Sequence, residues 1–212
     1  KLICASNRNH ILTDFIRTGV YNRNRHFYQT LSPSMDILVS SNLERFLYEL
    51  VAGDPQAVTA FMAELQRVGS YRLTMAQLAS TQRDFWAGYA TEMETTATVK
   101  EVYDEYNYLI DPHTAVGYKV YRDYLRATND ERPTVITATA SPFKFNRGVA
   151  AALFGYEAVV RTDEFALMEK VSQATGALIP PGLKGLKAKP IRHRRVIEPT
   201  AMEQTVREIL AL

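Results

Sequence analysis

The chain has 212 residues, of which 46% are hydrophobic and 23% charged, so a buried core is expected and disorder is not. Its formal net charge of +2 points to neither a nucleic-acid binder nor an acidic tail. One cysteine excludes a disulfide framework and fits a reducing, cytoplasmic setting, and no apolar run is long enough to span a bilayer.

From the start, "LICAS" (2–6) reads as a strand and "ILTDFIRTG" (11–19) as a helix stopped by Gly19. "ILVS" (37–40) is a brief strand candidate. Ser41 and Glu44 have capping-box spacing ahead of a helix with Leu43, Phe46, Leu47 and Leu50 on one face. Asp54 and Pro55 stand in N-cap and N1 order for a helix with a Val58, Phe61, Met62, Leu65 stripe, closed by Gly69. A short helix follows at 74–81, then two longer ones at 93–110 and 113–128, broken at Asp111-Pro112.

"TVITATA" (134–140), rich in β-branched residues, is the best strand signal in the chain. "PFKFNRGVAAALFG" is helical, "EAVVR" (157–161) has strand character, and "DEFALMEKVSQATG" is a helix capped by Gly176. "PPGLKGLKAKP" (180–190) is a loop. Thr200 and Glu203 are spaced to cap a last helix carrying Met202, Val206, Ile209 and Leu210. Strands alternating with helices predict an α/β fold, a parallel-type sheet with helices on both faces. Lys1 leads directly into a strand with no initiator Met, so a chain truncated at its N-terminus is expected, with 180–212 as a C-terminal loop and helix.

In such sheets, ligands collect beyond the carboxyl ends of the strands. This directs attention to Ser6-Asn7-Arg8-Asn9, to Asp111-Pro112-His113-Thr114 and to Thr139-Ala140-Ser141-Pro142. Hydroxyls at the last position can cap a helix or bond a ligand, and the two are compatible if Ser141 caps while Thr139 faces the cleft. His113 has no second His or Cys at metal-ligand spacing, so capping or packing is its plainer role. Cys4 reads as a small buried hydrophobe. Lys144 is the lysine nearest the ligand edge, but nothing around it requires a lowered pKa. The basic run 184–195 lacks interleaved aromatics and reads as a solvated loop. Hydrolase, Walker and dinucleotide motifs are absent. The turn "SPSMD" (32–36) is either a self-capping turn or, through Ser34 and Asp36, part of a cleft mouth.

Four motifs, "SNRNHILTDFIRTG", "TLSPSMDILVSSNLERFLYEL", "YLIDPHTAVGY" and "TATASPFKF", resemble threonine synthase in sequence and order, from about residue 2 to 145. The resemblance implies the C-terminal part of the large cofactor-binding domain of a fold-type II (tryptophan-synthase-β type) enzyme. That family uses pyridoxal 5'-phosphate (PLP) to convert O-phospho-L-homoserine and water to L-threonine and phosphate. It also implies cofactor contacts from Thr139, Asn7, Asn9 and Asp111, with Thr139 facing the pyridine nitrogen, and substrate contacts from Ser34 and Asp36. Ser141 stands where some relatives carry His. The family's Schiff-base lysine and phosphate-cradling loop lie N-terminal to everything here, so no catalytic residue is assigned and the chain alone is expected to be inactive. It is also expected to self-associate through exposed sheet surface. The alternative is a non-catalytic α/β module that holds an anion or other ligand and serves a binding or regulatory role.

Overall fold

A computed structural model describes residues 1–212, which divide into two compact units, Lys1–Pro180 and Pro181–Leu212. In the first unit, strand β1 (Leu2–Ser6) pairs in parallel with β4 (Phe85–Tyr89), with Cys4 opposite Ala87. Alternation along the two strands sends side chains to opposite faces. Cys4, Phe85 and Ala87 join the cluster around helix α1 (Ile11–Thr18), where Ile11 and Phe15 are fully buried. Trp86 meets Tyr124 edge-on at 5.5 Å and Gly88 lies against Val120, both on helix α6 (Pro112–Thr128). The parallel pairing and the helix on each face agree with the α/β expectation.

The α1 side carries the main apolar core. Helix α1 ends at Gly19, whose φ of 74° suits a residue without a Cβ. Strands β2 (Val20–Asn22) and β3 (Ser70–Arg72) then form a short antiparallel pair that the sequence reading did not anticipate. Their central tyrosines, Tyr21 and Tyr71, stack at 5.2 Å, and Phe15 meets each ring edge-on at 5.8 Å. Helices α2 (Leu43–Leu50) and α3 (Pro55–Val68) lay Leu47 and Leu65 into this core. Asp54 caps α3 as its spacing predicts, accepting hydrogen bonds from the Gln56 and Ala57 amides.

Helix α4 (Met75–Asp84) runs three residues beyond the expected end and starts at a Thr74–Gln77 capping box. Helix α5 (Glu92–Tyr106) starts at a second box, Thr91–Glu94. Asp111 caps α6, with Pro112 at its first position. Helix α7 (Asn146–Phe154) packs on α5 and on α8 (Glu164–Thr175), burying Val149, Ala150, Leu167 and Val171.

Several expectations are corrected. Residues 134–140 form no strand: no neighbour completes a ladder, and Val135 is 90% exposed. β-branched residues favour the extended form, yet a strand needs a hydrogen-bonding partner. Residues 37–40 are not a strand either, because the Tyr21 hydroxyl bonds the segment's backbone, donating to the Leu38 carbonyl and accepting from the Ser40 amide. Ser41 and Glu44 form no box, since α2 begins from Asn42 without a side-chain cap. Residues 157–161 begin as a 3₁₀ turn (Tyr156–Ala158), and Arg147 bonds the Val159 and Thr162 carbonyls there.

The second unit holds turns, a 3₁₀ turn at Pro199–Ala201 and helix α9 (Met202–Leu210). Thr200 lies inside that 3₁₀ turn, so it cannot cap α9. No helix in the chain is long and apolar enough to cross a membrane.

Candidate functional site

A cavity of about 380 Å³ lies on the α6 face of β1. Ile3 and Ala5 of β1 form one wall, and His113, Gly117 and Tyr121 of α6 form another. Residues 134–137 and Thr139 line it as well, together with Ser34 and Met35. Gly117 lies against that segment: a Cβ there would sit in ordinary van der Waals contact with Ile136, at 3.7 Å. The volume falls within the range of small-ligand sites.

Ser34, His113 and Thr139 meet in this cavity although they are far apart in sequence. Thr139 is exposed there, and its hydroxyl makes no hydrogen bond within the chain. Ser141 caps the following 3₁₀ turn (Pro142–Lys144), accepting from the Phe143 amide.

Asp111, Asn7, Asn9 and Asp36 do not line the cavity. Asp111 lies behind His113, accepting from the His113 amide at 2.9 Å and from the Thr114 hydroxyl, with the His113 ring Nδ1 at 2.8 Å. Burial pushes its carboxyl up, but the bonds from His113 and Thr114 outweigh that and hold it below the usual carboxylate range. The other three form a buried knot at the end of β1. Asn7 Nδ2 reaches Asp36 Oδ1 at 2.7 Å, Thr30 Oγ1 at 2.8 Å and Ser32 Oγ at 3.0 Å. Asn9 Nδ2 donates to the same Asp36 oxygen at 2.9 Å and to the Tyr28 carbonyl at 2.8 Å. Asp36 Oδ2 accepts from the Thr30 amide at 2.9 Å. This network ties residues 28–36, and hence Ser34, to the strand end.

Glu92, at the start of α5 beyond the end of β4, was not picked out by sequence. Its Oε2 accepts from the Leu31 amide at 2.9 Å, while its buried Oε1 has no partner. Burial raises its pKa, and the Asp36 charge adds to that. Tyr121 and Met35 were also missed. Tyr121 sits two helical turns after His113, so a helical-face reading from His113 through Gly117 would have found it. No group of three or more His, Cys, Asp or Glu is placed to hold a metal ion. Cys4 sits in a separate apolar pocket with Leu12, Phe15, Ile16 and Phe46, and burial pushes its thiol up to about 11.

Comparison with known proteins gives this geometry a family. Residues 114–209 match the family described as "Threonine synthase, C-terminal". The threonine synthase of Saccharomyces cerevisiae is 35% identical over 170 residues, covering 74% of this chain and 33% of the yeast protein. A crystal structure of threonine synthase from yeast matches with a TM-score of 0.80 and 30% identity, covering 100% of this chain and 42% of that one. The chain is similar to the C-terminal part of the threonine synthases. Human threonine synthase-like 1 is 42% identical over 154 residues, which is 72% of this chain and 20% of that protein. A PLP-bound threonine synthase structure from Brucella melitensis matches with a TM-score of 0.68 and 34% identity, over 84% of this chain and 41% of that one. The chain thus spans about a fifth to a third of the curated relatives' length. The comparisons do not favour the alternative of a non-catalytic binding module.

Proposed function

We propose that these residues form one wall of a PLP-dependent threonine synthase site acting on O-phospho-L-homoserine. The observation that carries the reading is the convergence of Ser34, His113 and Thr139 on one cavity. The Thr139 hydroxyl is unengaged there and so is available to a ring nitrogen. That arrangement fits the cofactor: a neutral hydroxyl stabilises a protonated pyridine nitrogen less than a carboxylate would, which suits elimination chemistry. The bound group would supply the electron sink for expelling phosphate from the substrate before water adds.

The chain's own residues bind and orient. Ser34 would contact substrate at the cavity mouth, and Asp36, Asn7 and Asn9 hold the loop that carries it. Their role toward cofactor and substrate is thus indirect, through the loop. Asp111 acts from behind His113. No lysine of this chain lines the cavity, so the Schiff-base lysine and phosphate loop belong, in this proposal, to polypeptide outside these 212 residues. The edge of β1 not paired with β4 is where such a segment would extend the sheet. A cytoplasmic location and self-association through that edge belong to the same proposal.

The test is phosphate release from O-phospho-L-homoserine with PLP present. The chain alone should release none above the solvent rate. A protein that adds the lysine-bearing part should release it, and Thr139→Val in that protein should slow turnover more than it weakens substrate binding. An unchanged turnover would remove Thr139 from the site.

A further inference from the structure

His113 lines the cavity, yet its ring is only 10% exposed and its two nitrogens are both engaged. Nε2 lies 3.1 Å from the backbone nitrogen of Ser34. An amide N–H can only donate, so Nε2 must carry the lone pair. The ring proton is therefore on Nδ1, which faces Asp111 Oδ1 at 2.8 Å. Asp111 in turn is fixed by the Thr114 hydroxyl and the His113 amide. This chain of bonds runs from a buried carboxylate, through an imidazole of defined tautomer, to the loop that carries Ser34.

We propose that His113 is the positioning residue for Ser34: a neutral, Nδ1-protonated imidazole, oriented by Asp111, that latches residues 32–36 beside the cavity and releases them on gaining a second proton. Its purpose rests on the reading of the cavity as a substrate site, but its geometry does not. Adding a proton at Nε2 would set an N–H against the Ser34 N–H, and the contact would be lost. Acid therefore opens the latch.

The groups around the ring can be named element by element. From α6, His113 is faced by Asp111 and Thr114, with Tyr121 farther along the cavity. From the loop it meets the Ser34 amide, while Asp36 is engaged by Asn7, Asn9 and Thr30. From the segment after Thr139 it meets the edge of the Phe145 ring at 4.6 Å, with Lys144 next in the chain.

Nuclear magnetic resonance on the 212-residue chain tests this directly. The ring nitrogens of His113 should report the Nδ1–H form above its titration midpoint, a tautomer that a merely space-filling histidine has no reason to select. The Ser34 amide resonance should move with the same midpoint. His113→Gln places a non-titrating acceptor near the Nε2 position, so the amide should keep its bond and lose its pH dependence. His113→Phe should speed Ser34 amide exchange by roughly tenfold at every pH while the Tyr21 and Tyr71 resonances stay in place, as loss of one local hydrogen bond implies. An Nε2–H tautomer, or a Ser34 amide indifferent to both the titration and His113→Phe, would overturn the proposal. Neither readout involves cofactor or turnover, so failure of the synthase reading would appear separately.

Discussion

The carboxamide of Asn7 and the carboxylate of Asp36 meet at 2.7 Å, joining the end of β1 to the loop that brings Ser34 to the cavity. Asn7 is fully buried, and its Oδ1 also accepts from the Asn9 amide at 2.9 Å. Removing one side of such a pair leaves the other without a partner away from water, which costs more than the bond itself contributed. Asn7→Ala should therefore lower stability by about 1–3 kcal/mol, read as a shift in urea midpoint. The same variant should broaden the amide resonances of residues 30–36 while leaving the Tyr21–Tyr71 core unchanged.

Asp111 predicts an acid dependence with a definite sign. Its folded-state pKa lies below the ordinary carboxylate value. A group shifted this way contributes stability that is fully present above the unfolded pKa, about 3.9, and is lost as pH falls through the lower folded value. Denaturant midpoints between neutral pH and pH ~2 should show this acid loss, and Asp111→Asn should flatten it. An unchanged acid limb in the variant would remove Asp111 from the account.

Glu92 predicts the opposite sign. Burial raises its pKa and Oε1 has no partner, so ionisation at neutral pH opposes folding. The penalty develops as pH rises above the ordinary carboxylate value of about 4.3. Glu92→Gln retains an oxygen for the Leu31 amide and should raise the midpoint at pH 7 by under about 1 kcal/mol, the partial exposure screening the charge. The gain should vanish in acid.

Thr139 separates binding from stability. It is exposed and its hydroxyl is unbonded within the chain, so Thr139→Val should leave the midpoint within about 0.5 kcal/mol. Gly88 is the contrast. A Cβ there would stand 3.0 Å from both the Trp86 ring and Val120 Cγ1. Gly88→Ala should destabilise by about 1–3 kcal/mol through overpacking of β4 against α6, accompanied by a change in Trp86 fluorescence.

Helices were the most legible part of the sequence because their caps and stripes are local: Asp54-Pro55, Gly69 and Gly176 each act within a few residues. Capping boxes misled where another contact won. Ser41-Glu44 lost to a turn anchored by the Tyr21 hydroxyl, and Thr200 lies within its own 3₁₀ turn. Strands were read less well, because strand formation depends on a partner that local sequence does not name. "LICAS" has β4 beside it, whereas residues 134–140 have the stronger propensity and no partner. Thr139 was singled out as the end of a strand that does not form, and Ser34 as part of a turn; both line the cavity. The knot of Asn7, Asn9 and Asp36 was not, since its partners lie up to 29 residues apart and only the fold brings them together.

In the proposed site this chain supplies a cofactor wall without the lysine that anchors the cofactor. The most direct measurement is intact mass after incubating the chain with PLP and reducing with borohydride. No stoichiometric adduct should form, only the low, scattered labelling expected of exposed lysines. A single adduct at one mole per mole of chain, mapping to Lys144 or any other lysine here, would contradict it.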